Sequence, residues 1–386
     1  MTNDFSRPLS MHFPGKLVFG NGTLASLPEE IVNTGSKKAF IITIEPLLAG
    51  LQAFLQQLTS SGITYSLNTS ITQEPYYSDF ETLLTEAESI NPDIVIGIGG
   101  GSVLDVAKLV AALTGNRQPL AAIAGIGLLK SRSKKLVCVP ATSGTGSEVS
   151  PNAILIDDAD DQKKGFISPY LVPDIVYVDP LLTISVPSAI TAATGLDALT
   201  HCLEAYTNKF SQPFIDIYAF EGMRLIANNL VNAVKNSNDE EARSQVAMGS
   251  LLGGFCLGPV NTAGVHALSY PLGSMFHLAH GLSNALLLPY LMEFNLESAP
   301  ARYADVAVAL GCQRGSNDIE TAKKGIERIK QLIEECGVPA RLSDLSIPKE
   351  ALPAMAKDAL KIQRLLKNNP REINEEDAIH IYNEAY

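Results

Sequence analysis

A chain of 386 residues is too long for one ordinary core and predicts two domains, each able to bury a sizeable interior. With 29 Lys and Arg against 41 Asp and Glu, a net charge of -12 argues against phosphate-backbone binding as the main task, and no basic run contradicts it. No stretch reaches the roughly 18 uninterrupted apolar residues of a membrane span. The opening MTNDFSRPLSMHFPGKL also lacks the charged start and apolar core of a secretory signal, so a cytoplasmic protein is expected.

The first half alternates short β-type runs with helical patterns: KLVFG from Lys16, AFIIT from Ala39, ITYSL from Ile63, DIVIGIG from Asp93, KLVCVP from Lys135 and DIVYVD from Asp174. Runs such as IVIGI are apolar on both faces of a strand, as in a parallel sheet covered on each side. A doubly wound α/β domain follows, ending near Val186. Beyond it the texture is helical, best seen in NDIETAKKGIERIKQLIEECG, residues 317–337, whose last residue suits a helix C-cap. The expected domains are therefore 1–186, α/β, and 187–386, all-α, with a ligand cleft between them.

Two loops in the first half suit a nucleotide. After the strand DIVIGI come Gly99, Gly100, Gly101 and Ser102, then a helix; consecutive glycines let backbone approach a pyrophosphate, and the free amides of the helix start donate to it. The spacing departs from the dinucleotide fingerprint, because Ser102 stands where its third glycine belongs. The second loop, ATSGTGSEVSPN, follows KLVCVP; its hydroxyls on Thr142, Ser143, Thr145 and Ser147 suit a polar ligand at a strand's carboxyl end. Both loops are expected on one sheet edge.

The helical half carries candidate metal ligands. In GLDALTHCLEAY, residues 195–206, Asp197 and His201 lie one turn apart on one helix face, and His266, His277 and His280 cluster in VHALSYPLGSMFHLAHGLSNALLLPY. A carboxylate with three imidazoles makes an N3O set suited to Fe2+, Zn2+ or related ions. The five cysteines are dispersed and without a CxxC pair, so they read as reduced thiols, and Cys202, beside His201, reads as packing.

These motifs together resemble the iron-containing, or group III, alcohol dehydrogenases along essentially the whole chain: GGGSVLDVAK at 99–108, PATSGTGSEV at 140–149, SPYLVPDIVYVDP at 168–180, ATGLDALTHCLEAY at 193–206, the block His266 to Pro289, and the tail NNPREINEEDAIHIYNEAY. The resemblance implies a dehydroquinate synthase-like fold, with an N-terminal dinucleotide-binding domain and a helical metal-binding domain. It also implies NAD or NADP as cofactor, Fe2+ or Zn2+ at Asp197, His201, His266 and His280, a small alcohol or aldehyde as substrate, and a homodimer. Carried over by motif, Gly99, Gly100, Gly101 and Ser102 form the pyrophosphate turn, with Asp105 and Lys108 structural. Thr142, Ser143 and Ser147 line the nicotinamide and phosphates, and Lys163 is a cofactor-side lysine. Asn152 lies at the substrate end and His277 is a proton-relay or orienting residue.

Two departures stand out. Tyr270 occupies the position, four residues after His266, where many members place a second histidine, so the substrate pocket is expected to differ. At the end of AFIIT, where NAD-preferring members carry an Asp for the ribose diol, this chain has Ile44 followed by Glu45, which predicts NAD use with modest discrimination against NADP. The competing readings are a dehydroquinate synthase-like metal and NAD lyase, and a polyol dehydrogenase of the same fold. The lyase needs several basic residues around a polyanion, whereas Tyr270, Phe276, Leu278 and Leu282 surround the quartet in sequence and favour a small, weakly charged substrate.

Overall fold

Strands buried on both faces need helices above and below them, and the sheet of this chain meets that need. The computed structural model describes residues 8–386. They form two compact units: a sheet unit, His12–Thr142 with Gly146–Ser185, and a helical unit, residues 8–11 and Ser143–Thr145 with Val186–Tyr386.

In the sheet unit, β1 (Lys16–Phe19), α1 (Leu27–Asn33), β2 (Lys38–Ile42), α2 (Leu48–Ser60), β3 (Thr64–Asn68), α3 (Tyr77–Ile90), β4 (Ile94–Gly99) and α4 (Gly101–Leu113) alternate along the chain. After β5 (Gly125–Ile126) come β6 (Lys135–Pro140), β7 (Asn152–Asp157), β8 (Gln162–Ile167) and β9 (Ile175–Val178). The main sheet has the order β1-β9-β6-β4-β2-β3 with every pairing parallel, as the double-sided apolar runs require. The fold class is that expected. A second, three-stranded sheet, β5-β8-β7, was not foreseen. Its core is an antiparallel hairpin turned by DDADD, where the Asp157 side chain accepts from Ala159 N and Asp161 takes a left-handed φ of 51°.

The helical unit comprises α5 (Ser188–Thr207), α6 (Pro213–Lys235), α7 (Glu240–Leu257), α8 (Gly264–Phe276), α9 (His280–Asn295), α10 (Pro300–Ala309), α11 (Asp318–Glu335), α12 (Leu352–Ala359), α13 (Gln363–Leu366) and α14 (Glu375–Glu384). No strand follows Val178 among the described residues, and no helix is long and apolar enough to cross a membrane. α11 starts where its sequence signals it: the Asn317 side chain accepts from Glu320 N, and Gly337, just past the end, takes a φ of 70°.

α5 is buried almost all round and is the axis of this unit. Small residues let its neighbours close in: a Cβ on Gly222 would strike Cys202 Sγ, which is why Cys202 is a buried packing thiol. A Cβ on Gly281 would collide with the Ala193 carbonyl, so the start of α9 lies hard against α5. The tail motif NNPR has a structural task. Asn369 and Asn295 exchange side-chain hydrogen bonds of 2.9 and 2.8 Å, and Asn368 Nδ2 donates to Thr262 O, which fixes the segment leading into α8.

Candidate functional site

The i, i+4 spacing on α5 puts Asp197 and His201 on one buried face, and α8 and the first residue of α9 bring His266 and His280 to it. Asp197 Oδ1 lies 3.8 Å from His201 Nε2, 3.5 Å from His266 Nε2 and 3.8 Å from His280 Nε2. Ligands about 2.1 Å from one tetrahedral ion stand about 3.4 Å apart. The donor atoms of Asp197, His201 and His266, all buried, lie within 4.8 Å of one another, a group that could hold a divalent metal, with the more exposed His280 at its edge. The His201 and His266 rings stack at 4.8 Å.

On His201 and His266 the ring nitrogen facing away from the donor centre is tied down. His201 Nδ1 donates to the Gly144 carbonyl at 3.2 Å, leaving Nε2 for a metal. Gly144 must lack a side chain there, since a Cβ would meet Thr194 Cβ at 2.7 Å. His266 Nδ1 donates to Glu204 Oε2 at 2.6 Å, the carboxylate-histidine arrangement that orients a ligating imidazole. Glu204 is buried, seven residues beyond Asp197 on α5, and also accepts from Ala263 N at 2.9 Å and Val265 N at 2.6 Å. One carboxylate therefore satisfies the open amides at the start of α8 and aims its histidine.

Asn284, one turn after His280, completes the centre. Its Nδ2 donates to Asp197 Oδ1 at 2.7 Å and lies 3.1 and 3.3 Å from His266 Nε2 and His280 Nε2, while its Oδ1 is buried without a partner. Neither Glu204 nor Asn284 was singled out in the sequence reading. Their signal was present, since Asp197, His201 and Glu204 share a helix face, as do His280 and Asn284.

Charge within the cluster is unevenly held. Burial opposes ionisation of Asp197, yet the imidazoles of His201, His280 and His266 hold its carboxyl well below the usual carboxylate range. Burial keeps the His201 pKa below its ordinary value, against the pull of Asp197. Burial also disfavours a charged His266, but Glu204 and Asp197 outweigh it and push this histidine up to about 10.

The other anticipated residues fall as follows. His277 is exposed and caps α8 in the left-handed region, with φ 56°; no hydrogen bond joins its ring to the donor set among the described residues. Tyr270 lies close, its ring edge-on to His280 with centroids 6.1 Å apart.

In the sheet unit, Gly99 and Pro140 are register partners, so both glycine-rich loops leave the same sheet edge. The glycines there have separate duties. A Cβ on Gly97 would meet Ala107 Cβ at 2.7 Å and one on Gly99 would meet Val103 at 2.8 Å, so these two let α4 lie on β4. Gly100, the N-cap residue of α4, has room: its Cβ would lie 3.4 Å from Thr142 Oγ1. Gly100, Gly101 and Ser102 thus leave a partly open helix start at the sheet edge, which fits an anionic phosphate.

Ser147 is buried and donates to Asp105, which also accepts from Ile154 N at 2.9 Å. Lys108 Nζ donates to the carbonyls of Ser150 and Asn152, so Asp105 and Lys108 stitch α4 to the second loop. Lys163 pairs with Glu74 at 2.6 Å, and the Asn152 Oδ1 is buried without a partner. Ile44 packs its side chain into the core beyond the end of β2, while Glu45 is exposed.

Family comparison agrees with this geometry. The model for iron-containing alcohol dehydrogenase matches residues 14–180, and that for the C-terminal part of the Fe-containing alcohol dehydrogenase family matches 191–386. Long-chain-alcohol dehydrogenase 1 of Geobacillus thermodenitrificans is 38% identical over 97% of this chain and 96% of its own length. Among solved structures, a 1,3-propanediol oxidoreductase superposes with a TM-score of 0.95 at 33% identity, covering 98% of this chain and 100% of that one. The sulfoacetaldehyde reductase of Bifidobacterium kashiwanohense, solved in complex with NAD+, superposes with a TM-score of 0.88 at 25% identity, covering 98% and 99%. With the matches running through both the sheet unit and the helical unit, the chain belongs to the iron-containing alcohol dehydrogenase family.

Proposed function

We propose that the chain transfers a hydride between a small alcohol, or its aldehyde or ketone, and NAD, with Asp197, His201, His266 and His280 holding a divalent cation, Fe2+ or Zn2+. The observation that carries this reading is the buried group Asp197, His201 and His266, whose donor atoms lie within 4.8 Å of one another, with the partly exposed His280 Nε2 3.8 Å from Asp197 Oδ1. When bound, the cation supplies Lewis acidity to an alcohol oxygen and the nicotinamide supplies the hydride-accepting ring. The chain's own contribution is placement. Glu204 and Gly144 fix the two stacked imidazoles, Asn284 holds the Asp197 carboxylate, and burial keeps water from competing for these atoms.

In this reading residues 1–186 bind the nucleotide and 187–386 the metal and substrate. Gly100, Gly101 and Ser102 meet the pyrophosphate, Thr142 and Ser143 lie towards the nicotinamide, and Asn152 and Tyr270 face the substrate. The exposed His277 is where a proton passes to water. Ser147 and Lys163 act from behind, through Asp105 and Glu74. A homodimer belongs to the same reading, and light scattering on the purified chain tests it.

The central test is NADH formation from short alcohols by protein reconstituted anaerobically with Fe2+ or Zn2+, alongside elemental analysis. His266→Ala and His280→Ala should lose metal and turnover together while NAD binding persists. Stoichiometric metal in both variants would sink the assignment of the ligands.

A further inference from the structure

The linear neighbourhood of the quartet is apolar, but the fold brings a cation to it from far along the chain. Tyr270 follows His266 by one turn, so both project from one face of α8, and its ring meets the His280 imidazole edge-on. The Tyr270 hydroxyl accepts a 2.9 Å hydrogen bond from Arg364 Nη2 of α13, and the Arg364 Cζ lies 5.9 Å from the Tyr270 ring centroid. The Tyr270 phenol thus stands between the guanidinium and the His280 imidazole, touching both.

Arg364 is half-buried, and among the described residues no ion pair joins it to a carboxylate. Its guanidinium donates to the Tyr270 hydroxyl, a neutral acceptor that leaves the positive charge uncompensated. A guanidinium presents several donors in a planar fork that matches a carboxylate or sulfonate, and the hydrogen bond to Tyr270 holds that fork in one orientation. Phe276 at the end of α8, Leu278 between α8 and α9 and Leu282 in the first turn of α9 are partly buried apolar groups suited to a short alkyl chain.

We propose that Arg364, oriented by Tyr270, is the subsite for an anionic group at the far end of the substrate, so that the preferred substrate is a short aldehyde, or its alcohol, bearing a carboxylate or sulfonate. This deepens the oxidoreductase reading and rests on it. It also revises the expectation of a weakly charged substrate: that expectation weighed only residues near the histidines in sequence, and Arg364 lies 94 residues from Tyr270.

The test compares kcat/KM for 4-oxobutanoate against butanal, and for sulfoacetaldehyde against propanal, in the metal-loaded enzyme with NADH. Wild type should favour the anionic member of at least one pair, and which pair shows the larger ratio tells carboxylate from sulfonate. Arg364→Gln should reduce that ratio about 10- to 100-fold, the loss of a charge-assisted contact. Arg364→Lys should retain part of the preference and Tyr270→Phe should lower it less than Arg364→Gln does. A ratio unchanged in Arg364→Gln, or a wild type favouring the neutral member of both pairs, overturns the proposal. Calorimetric titration with 4-hydroxybutanoate and with 2-hydroxyethanesulfonate, without nicotinamide, reads the subsite apart from turnover. Weaker binding of either anion to Arg364→Gln supports the subsite even if no substrate turns over, an outcome that would instead refute the oxidoreductase reading. Equal binding of both anions to wild type and variant, or binding to neither, removes the subsite.

Discussion

Replacing Glu204 by Gln probes the buried connection between helix capping and the candidate metal centre. Glu204 Oε2 accepts from both Ala263 N and His266 Nδ1, and Oε1 accepts from Val265 N. A glutamine of the same shape keeps one oxygen. If that oxygen serves Ala263 and His266, the new NH2 group faces the Val265 amide, donor against donor; the opposite orientation sets NH2 against His266 and Ala263. Either way at least one buried donor is left unpaired, at a cost of about 1–3 kcal/mol, and the bond to His266 loses its charge assistance. Apparent Tm should fall by several degrees. Loss of the carboxylate that aims a ligating histidine is expected to weaken metal binding about 10- to 100-fold, or about 1.4–2.7 kcal/mol. The assay is competition for Zn2+ against a chromophoric chelator, with melting curves taken with and without metal. Zn2+ affinity within twofold of wild type, alongside a lowered Tm, would refute the orienting role and leave Glu204 as a helix cap only.

Binding of Zn2+ to the metal-free chain at pH 8 should release about one proton, because His266, held up to about 10, must give up the proton on the nitrogen that faces the metal. Calorimetry in buffers of different ionisation enthalpy measures it, and zero release contradicts the assignment. In the glycine turn, Gly100→Ala should leave Tm nearly unchanged while weakening NAD binding about tenfold. Gly99→Ala should instead destabilise by about 1–3 kcal/mol, because its Cβ would meet Val103 at 2.8 Å; equal effects of the two on Tm would undo this division of labour. Burial raises the Glu148 carboxyl from 4.5 to about 7. Between those values the folded chain keeps a proton that the unfolded chain has lost, so the stability tied to this group is full below pH 4.5, declines across the window and is gone above 7. Glu148→Gln should therefore raise stability relative to wild type by about 1–3 kcal/mol at pH 8 and by much less at pH 5. Denaturant titration at both pH values checks the difference, and a gain that is the same at both contradicts it.

Periodicity and spacing along the chain were enough for the sheet architecture and for the Asp197–His201 pair, whereas the choice of His266 and His280 over His277 came with the family resemblance. IVIGI is apolar on both faces and can stand only inside a covered parallel sheet, and Asp197 and His201 share a face because four residues make about one turn. The hairpin Asn152–Ile167 was also legible, in an alternating run broken by DDADD, though its strands are less apolar than those of the main sheet and were passed over. What a buried face meets is another matter. Gly144 reaches His201 across 57 residues, Glu204 reaches His266 across 62, Asn284 reaches Asp197 across 87 and Arg364 reaches Tyr270 across 94. A hydrophobic pattern reports that a face is buried, whereas its partner is chosen by how whole helices pack, through contacts such as Gly281 on Ala193 and Gly222 on Cys202. The sequence by itself thus determined the elements and their polar faces. Only tertiary packing decided which carboxylate aims His266 and which arginine meets Tyr270.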